Sequence, residues 1–459
     1  MPGTLRVIWR GAWLGVLGLV VLLLVLLLAW VASNWADEPP APTPPQLELG
    51  PPKAGSKFFF EMQGMLAPPG ASAEETGRKD WQRLLKVPAP DLSASAPERA
   101  GRLPPIQGLP LNCRAPDDCV KALVTAPDKV AAQLQPMAEL GQRCTASLAD
   151  LGYEEALPPT LTTATPLPAF QGVVQCALWF KGRAVLAASE GDRAAALANL
   201  QHARRFADAV LGGSRVLIGK MVGAAAARSQ FDAVAAVATL QPGWAAELIP
   251  PPLPAGATDA ATWVATEAAF VRGTLDQMRQ DCRTWLPPLL SSTDAALGTF
   301  SLLACRFGLL PNLTARLIDH QWLQLWTIAH QGLDVAIDQS LAEQARLAAA
   351  PKAASLSWRN TIGQLVVDIG APAPVLYYLR QADVELHRQT LALALAALAQ
   401  KVPAAERSAW LDRQGLPERV RKRLAWADNG TVLSARPWAA ELPGNDPRRA
   451  DIRIAVALP

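Results

Sequence analysis

The first hydrophobic feature of the chain is an unbroken one. No charged residue stands between Arg10 and Asp37, and the centre runs Leu19-Val20-Val21-Leu22-Leu23-Leu24-Val25-Leu26-Leu27-Leu28. At ~1.5 Å per residue, about 20 such residues cross the ~30 Å hydrocarbon core of a bilayer as a helix, so the pattern predicts a transmembrane span over 11–35. Trp9 and Trp13 flank one end and Trp30 and Trp35 the other, where indole rings favour the headgroup level. Arg6 and Arg10 precede the run, and Asp37 and Glu38 follow it. The positive-inside rule then puts residues 1–10 in the cytoplasm and the rest of the chain outside. Val31-Ala32-Ser33 would pass as a signal-peptide processing site, but the run exceeds the roughly 7 to 15 residues of a signal h-region. No cysteine follows it closely enough for lipidation, and either reading delivers the body to an extracytoplasmic compartment.

After the span the pattern breaks. Seven prolines between Pro39 and Pro52 predict an extended spacer over 36–56, able at ~3.1 Å per residue to hold the body roughly 40 Å from the membrane. Lys57-Phe58-Phe59-Phe60-Glu61-Met62 reads as a short strand or extended segment. The rest of an irregular segment, 57–110, should hold one helix near Trp81. A helical domain is expected over 111–415. Its elements start from a cap at Asp117, from Pro127, and again after a break at Pro136, with the last segment running to about Leu151. Gln171–Ser189 and Arg193–Leu211 form two amphipathic helices joined by Gly191-Asp192, the Gly closing one and the Asp capping the next. Ser214 should cap a helix to Leu240, Asp259 one to about Cys282, and Asn312 one continuing past Gly332 to Ala349. A long helix over Val375–Lys401 follows. Thr293–Leu310 is apolar, but Asp294 and Arg306 leave too short a run between them to span a bilayer, so it reads as buried core. Over 416–459 the period changes to two. Arg423–Trp426 and Thr431–Leu433 about Asn429-Gly430 predict a hairpin on a type I′ turn, and Ile452, Ile454, Val456 and Leu458 predict a further strand. The fold class is mainly α: one N-terminal transmembrane helix, a Pro-rich stalk, a body of packed helical hairpins, and a small antiparallel β-element packed on it.

Composition supports that class. Half the residues are hydrophobic while aromatics make up only 6%, and abundant alanine suits closely packed helices. Net charge is +3, with no dense basic run outside Arg419–Arg423, so a nucleic-acid partner has no electrostatic footprint. Six cysteines, Cys113, Cys119, Cys144, Cys176, Cys282 and Cys305, face an oxidising compartment in an even number. The simplest expectation is Cys113 with Cys119, Cys144 with Cys176, and Cys282 with Cys305, out of fifteen connectivities. No CxxC or His-Cys ligand spacing suggests a zinc site.

The search for chemistry returns little. Gly213–Lys220 resembles a phosphate loop only superficially, since Ser214 stands where the motif needs Gly and Met221 follows Lys220. Neither a GxSxG elbow nor HExxH occurs. His202, His320, His330 and His387 lack a partner histidine at ligand spacing. His330, Asp334 and Asp338 share a helical face, which reads as solvated. No cofactor and no metal are therefore expected. The informative anomaly is charge within apolar stripes: Lys220 among Val216, Leu217, Gly223, Ala224 and Ala227, and Glu267 among Trp263, Val264, Phe270 and Val271. Each would be costly to bury alone, so the pair is expected to meet, as an internal ion pair or as the wall of a polar pocket with Glu267 as an acid of raised pKa.

Two resemblances follow from these residues. The hairpin about Gly191-Asp192, with Ala196, Leu200 and Ala203, resembles a tetratricopeptide unit, but Phe180 and Ala187 stand where Trp and Tyr are expected and no second copy follows at a period near 34. Cys113 and Cys119, Gly191-Asp192, Leu217-Ile218-Gly219-Lys220-Met221, Glu267 and Pro311-Asn312-Leu313-Thr314 together resemble a group of bacterial single-pass envelope proteins without an assigned activity. That resemblance implies a shared fold and no catalytic residue. The expectation is a scaffold or binding protein tethered to the inner membrane, with a periplasmic body and a protein, peptide or lipid partner in a groove between helices. The alternative is an extracytoplasmic enzyme built on Glu267, acting on an envelope polymer or small molecule.

Overall fold

The computed structural model describes residues 2–51, 53–86, 101–112, 119–162, 164–280, 305–349, 358–370, 373–441 and 451–455. Cys113, Asp117, Cys282 and most of the apolar stretch 293–310 lie outside them. Among the described residues 69% of the chain is helical, with one small antiparallel sheet near the C-terminus.

Helix α1 (Pro2–Ser33) leaves the body as a bare rod. Every side chain from Trp13 to Ala29 is exposed, and Trp30 is half-buried. It is the one described helix long and apolar enough to cross a membrane. The proline-rich segment does not act as a free spacer. Its Pro45–Leu47 forms a 3-10 turn, and Leu47, 2% exposed, joins a core with Trp263, Ile318 and Trp322. Polyproline geometry leaves the backbone unbonded but not the side chains idle, and one leucine finds a pocket.

The Phe-rich run departs from the expected strand. Lys57–Gln63 is a helix, α2, whose cap Ser56 accepts the Phe59 N–H at 3.1 Å. Phe58, Phe59 and Phe60 are all buried. A strand would send the middle ring to the opposite face, whereas a short helix wedged between neighbours on several sides buries all three. Helix α3 (Ala73–Leu84) carries Trp81 edge-on to Phe59. Helices α4 (Cys119–Thr125), α5 (Pro127–Leu134) and α6 (Ala138–Ala146) follow, with a 3-10 turn at Gln135–Met137 where Pro136 interrupts the ladder.

The centre is a three-helix layer: α7 (Gln171–Ser189), α8 (Arg193–Gly213) and α9 (Leu217–Leu240). Gly191 turns the corner at φ +77°, and the Asp192 carboxylate accepts the Ala195 N–H at 3.0 Å. Gly223 of α9 lies against the backbone of Leu211, where a Cβ would stand 2.7 Å from the Leu211 Cα. A disulfide joins Cys144 to Cys176, tying α6 to α7. Cys119 and Cys305 are also disulfide-bonded, with partners outside the described residues.

Short helices α10 (Ala245–Leu248) and α11 (Ala255–Thr258) lead to α12 (Ala261–Gln280). The Asp259 carboxylate accepts from Ala261 N and Thr262 Oγ1, as the sequence suggested. Helix α12 packs on α13 (Pro311–His330) around the second core. Helix α14 (Leu333–Ala349) is a separate element, because Gly332 adopts φ +94° and ends the run that sequence reading continued. Asn312 sits inside α13, and the cap comes instead from Asp37, 275 residues earlier. Helices α15 (Thr361–Gly370) and α16 (Ala373–Ala399) follow, with α16 reaching back to the central layer at α9.

Two short helices, α17 (Arg407–Asp412) and α18 (Glu418–Arg421), precede strands β1 (Leu424–Ala427), β2 (Val432–Ala435) and β3 (Ile452–Ala455), paired antiparallel in that order. Ala427 pairs with Val432, so the connection is Asp428–Thr431 and not a two-residue type I′ turn. Asp428, Asn429 and Gly430 all take positive φ.

Candidate functional site

Of the two residues singled out from sequence, Lys220 is buried and Glu267 half-buried, and they do not pair. The Lys220 ammonium donates to the carbonyls of Leu211 (2.8 Å), Gly212 (3.4 Å) and Gly256 (2.8 Å). Leu211 and Gly212 belong to the last turn of α8, whose carbonyls lack intrahelical partners and carry the negative end of the helix dipole. Glu267 accepts the Leu217 N–H at 2.9 Å, at the positive start of α9. Each charge answers a helix end, so neither needs the other.

A third charge completes this junction. Glu155, 0% exposed, accepts the N–H groups of Arg215 (2.6 Å) and Val216 (3.1 Å). Two carboxylates therefore take three consecutive N–H groups where α9 begins, the work that Ser214 was expected to do. Burial pushes the Glu155 carboxyl up to about 7, against the opposing pull of those N–H groups, Ser214 and Lys220. Burial likewise raises Glu267 above the ordinary carboxylate value, opposed by the Leu217 N–H. It lowers Lys220, with Asp259 and Glu155 drawing it back. The junction holds two helix ends and an adjoining loop together.

The accessible polar chemistry lies elsewhere. A cavity of about 960 Å³ opens between α4, α7, α9, α16 and strand β3. Much of its wall is apolar, including Val120, Val174, Ala177, Val222 and Ile454. Into it project Lys181, Arg228, Asp232, Asp383 and His387.

Lys181 occupies the middle of α7, a helix buried on nearly all sides. The residue is only 3% exposed, and among the described residues its ammonium makes no hydrogen bond or ion pair. Burial lowers its pKa, with Asp232 raising it at a distance beyond direct contact. Arg228 donates to the Arg380 carbonyl at 3.3 Å, and burial works against its charge while Asp383 supports it. Asp383 is already engaged: it accepts from Trp438 N at 2.6 Å and Ala439 N at 3.4 Å, docking the turn after β2 onto α16. Burial raises it nevertheless. His387 packs edge-on to Phe231 with ring centroids 5.2 Å apart, and burial together with Arg228 pushes its imidazole down to about 3. It is neutral at any physiological pH.

The cavity thus presents a largely apolar wall, a neutral imidazole, charged groups of both signs and, in Lys181, an ammonium without a hydrogen-bond or ion-pair partner among the described residues. Sequence reading missed it, although the criterion that found Lys220 applies equally to Lys181, flanked by Ala177, Leu178, Ala184 and Val185 on the same helix. Arg228, Asp383 and His387 gave no comparable signal, because they are brought together from α9 and α16, more than 150 residues apart. Among the described residues no group of His, Cys, Asp and Glu could hold a metal ion. Asp334 and Asp338, grouped with His330 from sequence, pair instead with Arg419. Comparison with known proteins returns nothing at this point: no family model, no curated protein and no solved structure matches the chain.

Proposed function

We propose that this is a membrane-tethered binding protein of the cell envelope, with α1 in the inner membrane, Arg6 and Arg10 on the cytoplasmic side, and the helical body outside. Its ligand is a small amphipathic molecule held in the cavity between α7, α9 and α16, its acidic end meeting Lys181. One observation carries this reading: the Lys181 side chain is buried, has no hydrogen-bond or ion-pair partner among the described residues, and lines an open cavity with much apolar wall. An unpaired buried charge is costly, and a ligand carboxylate or phosphate would relieve it. The enzymatic alternative built on Glu267 gains nothing from the geometry, since that carboxylate holds the Leu217 N–H and does not line the cavity.

The test is equilibrium binding of three twelve-carbon probes, dodecanoate, dodecylamine and dodecanol, to the full chain in nanodiscs. A hydrogen bond to a charged group contributes about 1.5 to 3 kcal/mol, so dodecanoate should bind at least about tenfold more tightly than the amine. That preference should collapse in Lys181→Gln. Ala225→Trp, placed at an exposed small residue on the cavity wall, should block all three. Equal binding of acid and amine, or binding indifferent to Ala225→Trp, would overturn the assignment.

A further inference from the structure

The way α1 joins the body has a consequence for where the body stands. A membrane helix followed by a free proline-rich spacer would let the body swivel. Here the connection is locked within five residues of the helix end. Asn34, 1% exposed, donates through Nδ2 to the Trp358 carbonyl at 3.0 Å and accepts the Asn360 N–H on Oδ1 at 2.7 Å. Asn360, itself 1% exposed, accepts from Leu310 N at 2.7 Å and donates to Thr314 Oγ1 at 2.9 Å. Asp37 then caps α13 through Asn312 N (2.7 Å) and Leu313 N (3.1 Å), and Glu38 pairs with Arg316 at 2.6 Å. Two buried asparagines and a remote helix cap fix the angle between α1 and the second core. Buried polar groups satisfied in this way hold one geometry, because any other leaves them unpaired.

The protein surface around this lock is consequently held at the depth where the apolar run of α1 ends. That surface has an unusual composition. Trp35 is 71% exposed and Trp358 50% exposed. Trp35 stacks on Phe307 with centroids 5.9 Å apart, and Trp30 meets the same ring edge-on. Arg306 and Arg359 are exposed beside them, Arg306 lying over the Phe307 ring. Indole exposed to this degree is unfavourable in water and favourable at a bilayer's headgroup layer, where its apolar face and N–H are both served. Guanidinium groups at the same level meet phosphates.

We propose that this face, formed by Trp35, Arg306, Phe307, Trp358 and Arg359, is seated in the headgroup layer of the bilayer that α1 crosses, so that the body rests on the membrane. The inference rests on α1 being a membrane span and is independent of the cavity.

The test uses the full chain in nanodiscs of mixed zwitterionic and anionic phospholipid. No described cysteine is free, so an introduced cysteine gives a selective site for a nitroxide label. Labels at Leu23→Cys and Trp358→Cys are compared for collision with oxygen, which partitions into lipid, and with a water-soluble nickel chelate. Asn34 bonds only the backbone of residue 358, so that substitution preserves the lock. The label at 23 should report the acyl core, and the label at 358 should lose most of the chelate accessibility of an aqueous nitroxide. Arg306→Cys should give the same depth. A label at 23 in the acyl core with labels at 358 and 306 fully accessible to the chelate would overturn the seated face while leaving the span intact. Chelate access at all three positions would overturn the span and the proposal with it.

Discussion

Replacing Glu155 by Gln removes one ionisable group from a buried polar junction while keeping an oxygen able to accept the Arg215 and Val216 N–H groups. In the unfolded chain the Glu155 carboxyl titrates near its ordinary value of 4.5, and in the fold near 7. The folded state therefore binds more protons between those limits. The stability this gives is fully present below about pH 4.5 and is lost as pH rises through 7. At ~1.36 kcal/mol per pH unit, the loss across that interval amounts to about 3 kcal/mol. Other carboxyls raised by burial, Asp208, Glu267 and Asp383 among them, slope the wild-type curve in the same direction. The difference between wild type and Glu155→Gln isolates the one group. Urea unfolding of both proteins, followed by circular dichroism at half-unit steps from about pH 4 to 8, measures it. The wild type should lose about 3 kcal/mol relative to Glu155→Gln over the interval and run parallel to it above. A flat difference curve would mean that Glu155 stays ionised in the fold, held by two N–H groups and Lys220. A difference that grew in favour of the wild type with rising pH would reverse the sign altogether.

Three further outcomes follow from the same geometry. Lys220→Met and Glu267→Gln should each destabilise the protein, and the double mutant should show their sum to within about 0.5 kcal/mol in a double-mutant cycle, because the two side chains answer different helix ends; a coupling above ~1 kcal/mol would restore the direct ion pair. Gly219→Ala should cost roughly 1 to 3 kcal/mol by denaturant midpoint, since its Cβ would stand 2.4 Å from Glu155 Oε1 and 2.8 Å from Ser214 Oγ, whereas Gly212→Ala, with open space around it, should be nearly neutral in packing. Cys144→Ser with Cys176→Ser opens a link across 32 residues and should lower stability by about 3 to 4 kcal/mol, and peptide mapping without reduction should recover Cys113–Cys119 and Cys282–Cys305 as the remaining pairs.

The elements that sequence alone determined are those whose signals are local. An uncharged run of this length predicts a long apolar helix, and Pro2–Ser33 forms one, with every side chain from Trp13 to Ala29 exposed and a length and hydropathy sufficient to cross a membrane. The turn at Gly191-Asp192 needs a left-handed residue and a cap at adjacent positions, both of which are side-chain properties readable in place. Period-two alternation at Ile452 and Ile454 gave the third strand for the same reason. Burial of Lys220, and the half-burial of Glu267, were likewise legible from the stripes in which they sit. Their partners were not, because the groups that satisfy them are main-chain atoms at the ends of other helices, and a backbone carbonyl has no letter in the sequence. The same holds for the cap on α13, supplied by Asp37 from the far side of the chain, and for Leu47, which turned a supposed spacer into part of the core. Three consecutive phenylalanines do not state whether one face or all sides will be covered. Only the packing of α2 against its neighbours decided that, and only the meeting of α7, α9 and α16 left Lys181 facing a cavity without a direct partner among the described residues.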